Sequence, residues 1–255
     1  MKRLLTAAAL AMLAGMPAGS QWKVPWGYTG PRGPEHWAEL DPSYAACNGK
    51  QQSPIDIHGA VKANLPPLHF DYKTEPLKYL INNGYTIRVN YRMNDHAPPG
   101  EGSALVLGGQ RYQLTQLHFH RPSEETIDGK RAPMVLHLMH TSATGNVVGV
   151  AVLLTEGKPN PTVQQIWNNM PMAKGDEHEI PGVAIDPAGM LPSTLAYYSY
   201  MGSLTAPPCT EGVQWILLKT PVEVSPEQIA AFAKLYPDDI RPLQPLNGRV
   251  VQESE

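Results

Sequence analysis

Apolar and polar positions alternate with a period of two over several stretches of the chain, the spacing of strands with two unlike faces. Tyr85, Ile87, Val89 and Tyr91 fall on one side of such a strand, and Thr86, Arg88 and Asn90 on the other. Residues 104–107, Gly108-Gly109 and residues 110–120 predict a β-hairpin, because paired glycines supply the positive φ angles of a tight turn. Two further strands are expected at 134–140 and 147–155, around a Thr144-Gly145-Asn146 turn. Helices are few. The clearest spans 225–236, where Ser225 caps, Pro226 suits the first helical position and Gln228 completes a capping box; Asn160-Pro161 starts a shorter one. The non-periodic stretches 22–54 and 176–197 are expected to wrap the strands as ordered loops.

Composition narrows the classes. The chain has 255 residues, 42% of them hydrophobic, enough for a substantial core, and its net charge of -3 supplies no basic field for nucleic acid. The 26 prolines are spread rather than gathered into a linker, and no internal repeat interrupts the chain. Lys2-Arg3, an apolar run from Leu4 to Leu13 and the small residues Ala18, Gly19 and Ser20 have the layout of a secretory signal peptide. The apolar run is too short to anchor the chain in a bilayer. The expected division is a leader over residues 1–20 and one domain over 21–255, periplasmic or secreted, as a monomer or homodimer. In an oxidising compartment Cys47 and Cys209 have a single possible pairing; two separate buried thiols are the alternative.

His118 and His120 lie two apart in a predicted strand, so both side chains leave the same face, and His137 lies on the next strand. Three neutral imidazoles on a rigid sheet suit Zn²⁺ with a fourth position open for water. A His-x-His pair alone is equally compatible with buried histidines satisfied by hydrogen bonds. Gln116 shares the face of the first two and can fix one imidazole's tautomer, whereas His140 alternates to the opposite face from His137 and reads as structural.

The strings Gln116-Leu-His-Phe-His120, Pro122-Ser-Glu124, His137-Leu-Met-His140 and Gly202-Ser-Leu-Thr-Ala-Pro-Pro-Cys-Thr-Glu-Gly-Val-Gln-Trp215 resemble the bacterial branch of the α-carbonic anhydrases. Trp26-Gly-Tyr28, Gln52-Ser-Pro54, Asn82-Asn-Gly84 and the run from Arg241 to Asn247 extend the resemblance through the chain in order. It implies a mainly β fold, a central, twisted, mostly antiparallel mixed sheet with few short helices. It also implies Zn²⁺ on His118, His120 and His137, and reversible hydration of CO2 to bicarbonate by zinc-bound hydroxide. The ion lowers the pKa of its bound water to about 7, a figure that comes from carbonic anhydrase itself. By the same resemblance Thr205 accepts a hydrogen bond from that hydroxide and donates its own proton to Glu124. Met139, Gly149, Leu204, Val213 and Trp215 wall the pocket for apolar CO2. Two other readings are a zinc scaffold without turnover and a hydrolase of small esters.

The chain departs from the family pattern at four places. Val135 stands where a carboxylate usually holds the third histidine, and Glu125 is expected to reach across and replace it. Tyr85 stands at the proton-shuttle position; a phenol with an ordinary pKa near 10 is a poor relay at neutral pH. His96 is a candidate substitute. Two pocket valines become Met139 and Gly149, with Met139 expected to fill the space that Gly149 leaves. Ala206 replaces a threonine beside Thr205.

Overall fold

The computed structural model describes residues 24–91 and 101–254. The expected leader and His96 lie outside these residues. A 12-stranded sheet dominates the molecule. Its centre runs in the order Tyr197–Ser203, Glu211–Leu218, Val147–Glu156, Met134–Ser142, Gln110–His120, Ile87–Asn90 and Leu80–Asn82. These neighbours are antiparallel except Val147–Glu156 against Glu211–Leu218, which is parallel, giving the mixed, mostly antiparallel sheet expected.

The central strands are covered on both faces, which is why several read as nearly continuous apolar runs. On one face Leu117, Phe119, Leu136, Leu138, Val150 and Val152 join the large core, where Phe119 meets Trp167 and Phe232 of the helices Pro161–Asn168 and Pro226–Ala233. On the other face Val135, Met139, Ala151, Val213, Trp215 and Leu217 form a second core. The histidines project on this second side, so the sheet itself is a stiff mount for them.

Local signals translate directly. Gly108 and Gly109 take φ of 57° and 79° between Ala104–Leu107 and Gln110–His120. Ser225 and Gln228 form a reciprocal capping box, and Asn160 caps the helix Pro161–Asn168, which equals the other in length, through Val163 N. The helix that begins at Pro226 ends at Ala233, three residues before the predicted Tyr236, because Tyr236 precedes Pro237 and the proline ring disfavours helical backbone there. The N-terminal stretch is less irregular than expected: it contains a short helix, Trp37–Leu40, and a 3₁₀ helix, Pro42–Asn48.

Tyr85 does not share a face with Ile87 and Val89. It lies outside the strand, one residue after Gly84 at φ 84°, and its ring stacks on Trp26 at 3.9 Å. Ile87, Val89 and Tyr91 enter the large core, while Tyr85 packs beside the cluster of Trp26, Trp37, Tyr44, Cys47 and Cys209. Asn83 Oδ1 accepts from Tyr85 N and Thr86 N, and Asn83 N donates to Thr86 O, so Tyr85 belongs to a closed turn over 83–86 and not to the strand's alternation.

His140 faces the large-core side, as expected, with its Nε2 2.7 Å from the Tyr72 hydroxyl. Burial lowers its pKa to about 4, only partly opposed by neighbouring backbone groups. The unfolded chain therefore takes up a proton near pH 6.5 that the folded chain refuses until about 4. Stability is fully present above 6.5 and is lost as pH falls through that window, by about 3 kcal/mol for this group. Urea unfolding of chelator-treated protein at pH 7 and 4.5 is expected to show a smaller pH effect in His140→Gln; equal effects would refute this assignment.

Candidate metal centre

Gln110–His120 and Met134–Ser142 pair antiparallel with His118 opposite His137. Period two then places His120 on the same face as His118. One nitrogen from each of His118, His120 and His137 lies within 4.8 Å of the other two, close enough for one metal ion. His118 Nε2 and His137 Nδ1 are 3.3 Å apart.

The remaining ring nitrogens each face an acceptor. His118 Nδ1 is 2.7 Å from Gln116 Oε1, and His120 Nδ1 is 2.7 Å from the Asp239 main-chain oxygen. His137 Nε2 is 3.2 and 3.3 Å from the two oxygens of Glu125. Such partners fix the tautomers that leave His118 Nε2, His120 Nε2 and His137 Nδ1 as lone-pair donors. His120 Nε2 is buried without a hydrogen-bond partner. An orphaned donor atom amid three converging imidazoles fits a bound Zn²⁺.

The surrounding charges are uneven. Burial, and then the neighbouring imidazoles, hold His118 well below the ordinary histidine value, favouring a neutral ring. Burial also opposes charge on His120, but Glu124 and Asp239 outweigh it and raise its pKa to about 10. Burial raises the Glu125 carboxyl, His137 outweighs it, and the net shift is downward, so Glu125 is ionised at neutral pH.

Glu124 is fully buried; its Oε1 accepts a hydrogen bond from Arg241 N at 2.9 Å, and its Oε2 has no partner. That free oxygen lies 3.6 Å from His120 Nε2. Thr205 is buried too, without a hydrogen bond to Glu124 in this structure.

A cavity of about 130 Å³ opens over His118, bounded by Tyr85, Gln116, Met139, Leu204, Thr205, Ala206 and Trp215 among others. Gly149 and Val213 are not on its wall. Met139, Gly149 and Trp215 are cross-strand neighbours, and a Cβ on Gly149 would stand 2.7 Å from the Trp215 indole. Trp215, not Met139, occupies the space that the missing side chain leaves. The indole is free to lean that way because Gly149 presents only backbone.

Three contributors were not singled out from the sequence. Asp239 holds His120 Nδ1 through its carbonyl, which carries no residue signature, and places its carboxylate 3.4 Å from the same nitrogen. Arg241 is buried and bonds Gln52, Ser53 O and Cys47 O, binding the N-terminal segment to the residues behind Glu124. Arg88 borders the cavity; its place on the strand face with Thr86 and Asn90 was the available signal.

A family model described as eukaryotic-type carbonic anhydrase matches residues 32–255. A carbonic anhydrase from Nostoc sp. is 43% identical over 91% of this chain and 86% of its own length. One from Pectobacterium carotovorum is 38% identical over 95% of this chain and 96% of its own. Among solved structures, the α-carbonic anhydrase of Thermovibrio ammonificans with sulfanilamide has a TM-score of 0.83 at 44% identity, covering 90% of this chain and 99% of that one. Dioscorin complexed with ascorbate has a TM-score of 0.80 at 30% identity, covering 90% and 97%.

Proposed function

The chain belongs to the eukaryotic-type, or α, carbonic anhydrase family, and from that premise we propose that it hydrates CO2 reversibly with Zn²⁺ on His118, His120 and His137. The observation that carries this reading is the convergence of three imidazole nitrogens whose opposite ring nitrogens all face acceptors. When bound, Zn²⁺ supplies a Lewis acid and makes water a nucleophile at neutral pH. Gln116, Asp239 O and Glu125 aim the three rings. Glu124 Oε2 is the acceptor left open for the Thr205 hydroxyl, so that Thr205 in turn presents a lone pair to the nucleophile. Met139, Leu204 and Trp215 give CO2 an apolar wall, with Val213 and Gly149 beneath it.

Stopped-flow hydration of CO2 by the zinc-loaded protein, with a sulfonamide control, tests the proposal; a zinc-loaded protein without inhibitable hydration would overturn it. A side activity on small esters is expected from the same activated water beside an apolar wall, read by 4-nitrophenyl acetate cleavage in the same preparations. The signal-peptide-like order of residues 1–20 in the sequence and the Cys47–Cys209 bond support a place in the periplasm or outside the cell. No helix among the described residues is long and apolar enough to cross a membrane.

Tyr85 is poorly suited to carry the proton away. Burial raises its pKa further above 10, Trp26 stacks on one side, and the Lys174 ammonium lies 5.4 Å from the ring centre. Hydration is expected to depend strongly on external buffer. Tyr85→His should raise the rate about tenfold or more at low buffer concentration, and the gap should close at saturating buffer. A parent enzyme indifferent to buffer concentration would contradict this.

A further inference from the structure

Arg88 is the one charged side chain among the described residues bounding the cavity over His118. It stands directly opposite His118 in the antiparallel pairing of Ile87–Asn90 with Gln110–His120, so both side chains leave the same face of the sheet. Its Nε is buried without a partner, and among the described residues no hydrogen bond or ion pair holds the guanidinium. Arg241 shows what a structural arginine looks like in this protein: its Nε too is buried without a partner, but its two terminal nitrogens are fastened to Gln52, Ser53 O and Cys47 O, whereas those of Arg88 hold no described residue. Burial pulls the Arg88 pKa down, and Glu177, the acid closest in influence, pushes it back. Glu177 itself accepts a hydrogen bond from Asn90 Nδ2. The cation is thus partly dehydrated, beside the reaction site, with unused donors.

We propose that Arg88 is an anion-receiving residue of the cleft, taking bicarbonate and other small planar oxyanions on its guanidinium. This deepens the reading above and rests on bicarbonate being handled in this cleft. The chemistry is selective: a guanidinium presents parallel N–H donors that match the two oxygens of a carboxylate-shaped anion, whereas CO2 carries no charge to attract. A spherical halide gains from the charge but not from the fork.

Bicarbonate and chloride binding to the zinc-loaded full chain, measured by calorimetric titration, tests the assignment in wild type, Arg88→Gln and Arg88→Lys. Zinc content and thermal midpoint are checked for each protein. Arg88→Gln is expected to weaken bicarbonate about tenfold. Arg88→Lys, which keeps the charge and much of the packing, is expected to lower the preference for bicarbonate over chloride while leaving chloride nearly unchanged. Bicarbonate affinity within twofold of wild type in Arg88→Gln overturns the proposal. If that variant does not fold, an unchanged bicarbonate-to-chloride ratio in Arg88→Lys overturns it. Wild type that binds bicarbonate in an Arg88-dependent way without hydrating CO2 would sink the enzymatic reading and leave the anion site standing.

Discussion

Replacing Glu125 with glutamine is expected to weaken zinc binding by about 10- to 100-fold, the usual cost of removing a ligand's outer partner. Glu125 is buried beside His137 and bonds the ring nitrogen turned away from the metal position. Val135, two residues before His137 on the same strand face, is fully buried and offers no acceptor. Glutamine keeps the size of Glu125 and one carbonyl acceptor but loses the negative charge that strengthens His137 as a donor to the metal. Competition with a chelator at fixed pH reads this without reference to turnover.

The second substitution makes the test specific. Val135→Glu in the Glu125→Gln background should recover much of the affinity, because it offers a carboxylate to the ring nitrogen of His137 that Glu125 held. Val135→Glu alone should destabilise the fold, since two buried carboxylates would then compete for one imidazole. Unchanged zinc affinity in Glu125→Gln would show that His137 is oriented by its strand and not by this carboxylate.

Loss of the Cys47–Cys209 disulfide is expected to remove about 5 kcal/mol of stability, because the bond closes a loop of 162 residues in the unfolded chain. That rivals the whole net stability of about 5–15 kcal/mol for an ordinary domain. A fall in thermal midpoint of about 10–20 °C should follow for a chain of this length. Melting with and without reductant, alongside the Cys47→Ser/Cys209→Ser variant, measures it; a shift under about 3 °C would reject the chain-entropy account.

The bond also bears on function. It joins the 3₁₀ helix Pro42–Asn48 to the turn that follows Thr205, where Cys209 N donates to Ala206 O and Cys209 itself adopts φ 55°. Arg241 grips the same segment through Cys47 O while its backbone N–H holds Glu124. Reduction is therefore expected to loosen Thr205 relative to Glu124 and to slow hydration before the sheet unfolds.

Residue types and short spacings determined by themselves the glycine hairpin, the Ser225 capping box, the strand-rich class and the shared face of Gln116, His118 and His120. Each depends on interactions within a few residues, where side-chain period and φ preference act directly. The reach of Glu125 to His137 was also legible, because an absent carboxylate at Val135 and an extra one at Glu125 form a matched pair of anomalies. Only the tertiary structure decided the rest. Asp239, distant in sequence, meets His120 with its carbonyl and its carboxylate together, and the Trp215 indole, not Met139, takes the room beside Gly149. Tyr85 turns to Trp26 because Asn83 closes a turn around it before the strand begins, and Arg88 is left without partners among the described residues beside His118. These outcomes depend on which distant surfaces meet and how their volumes and polar groups match, information that period and propensity do not carry.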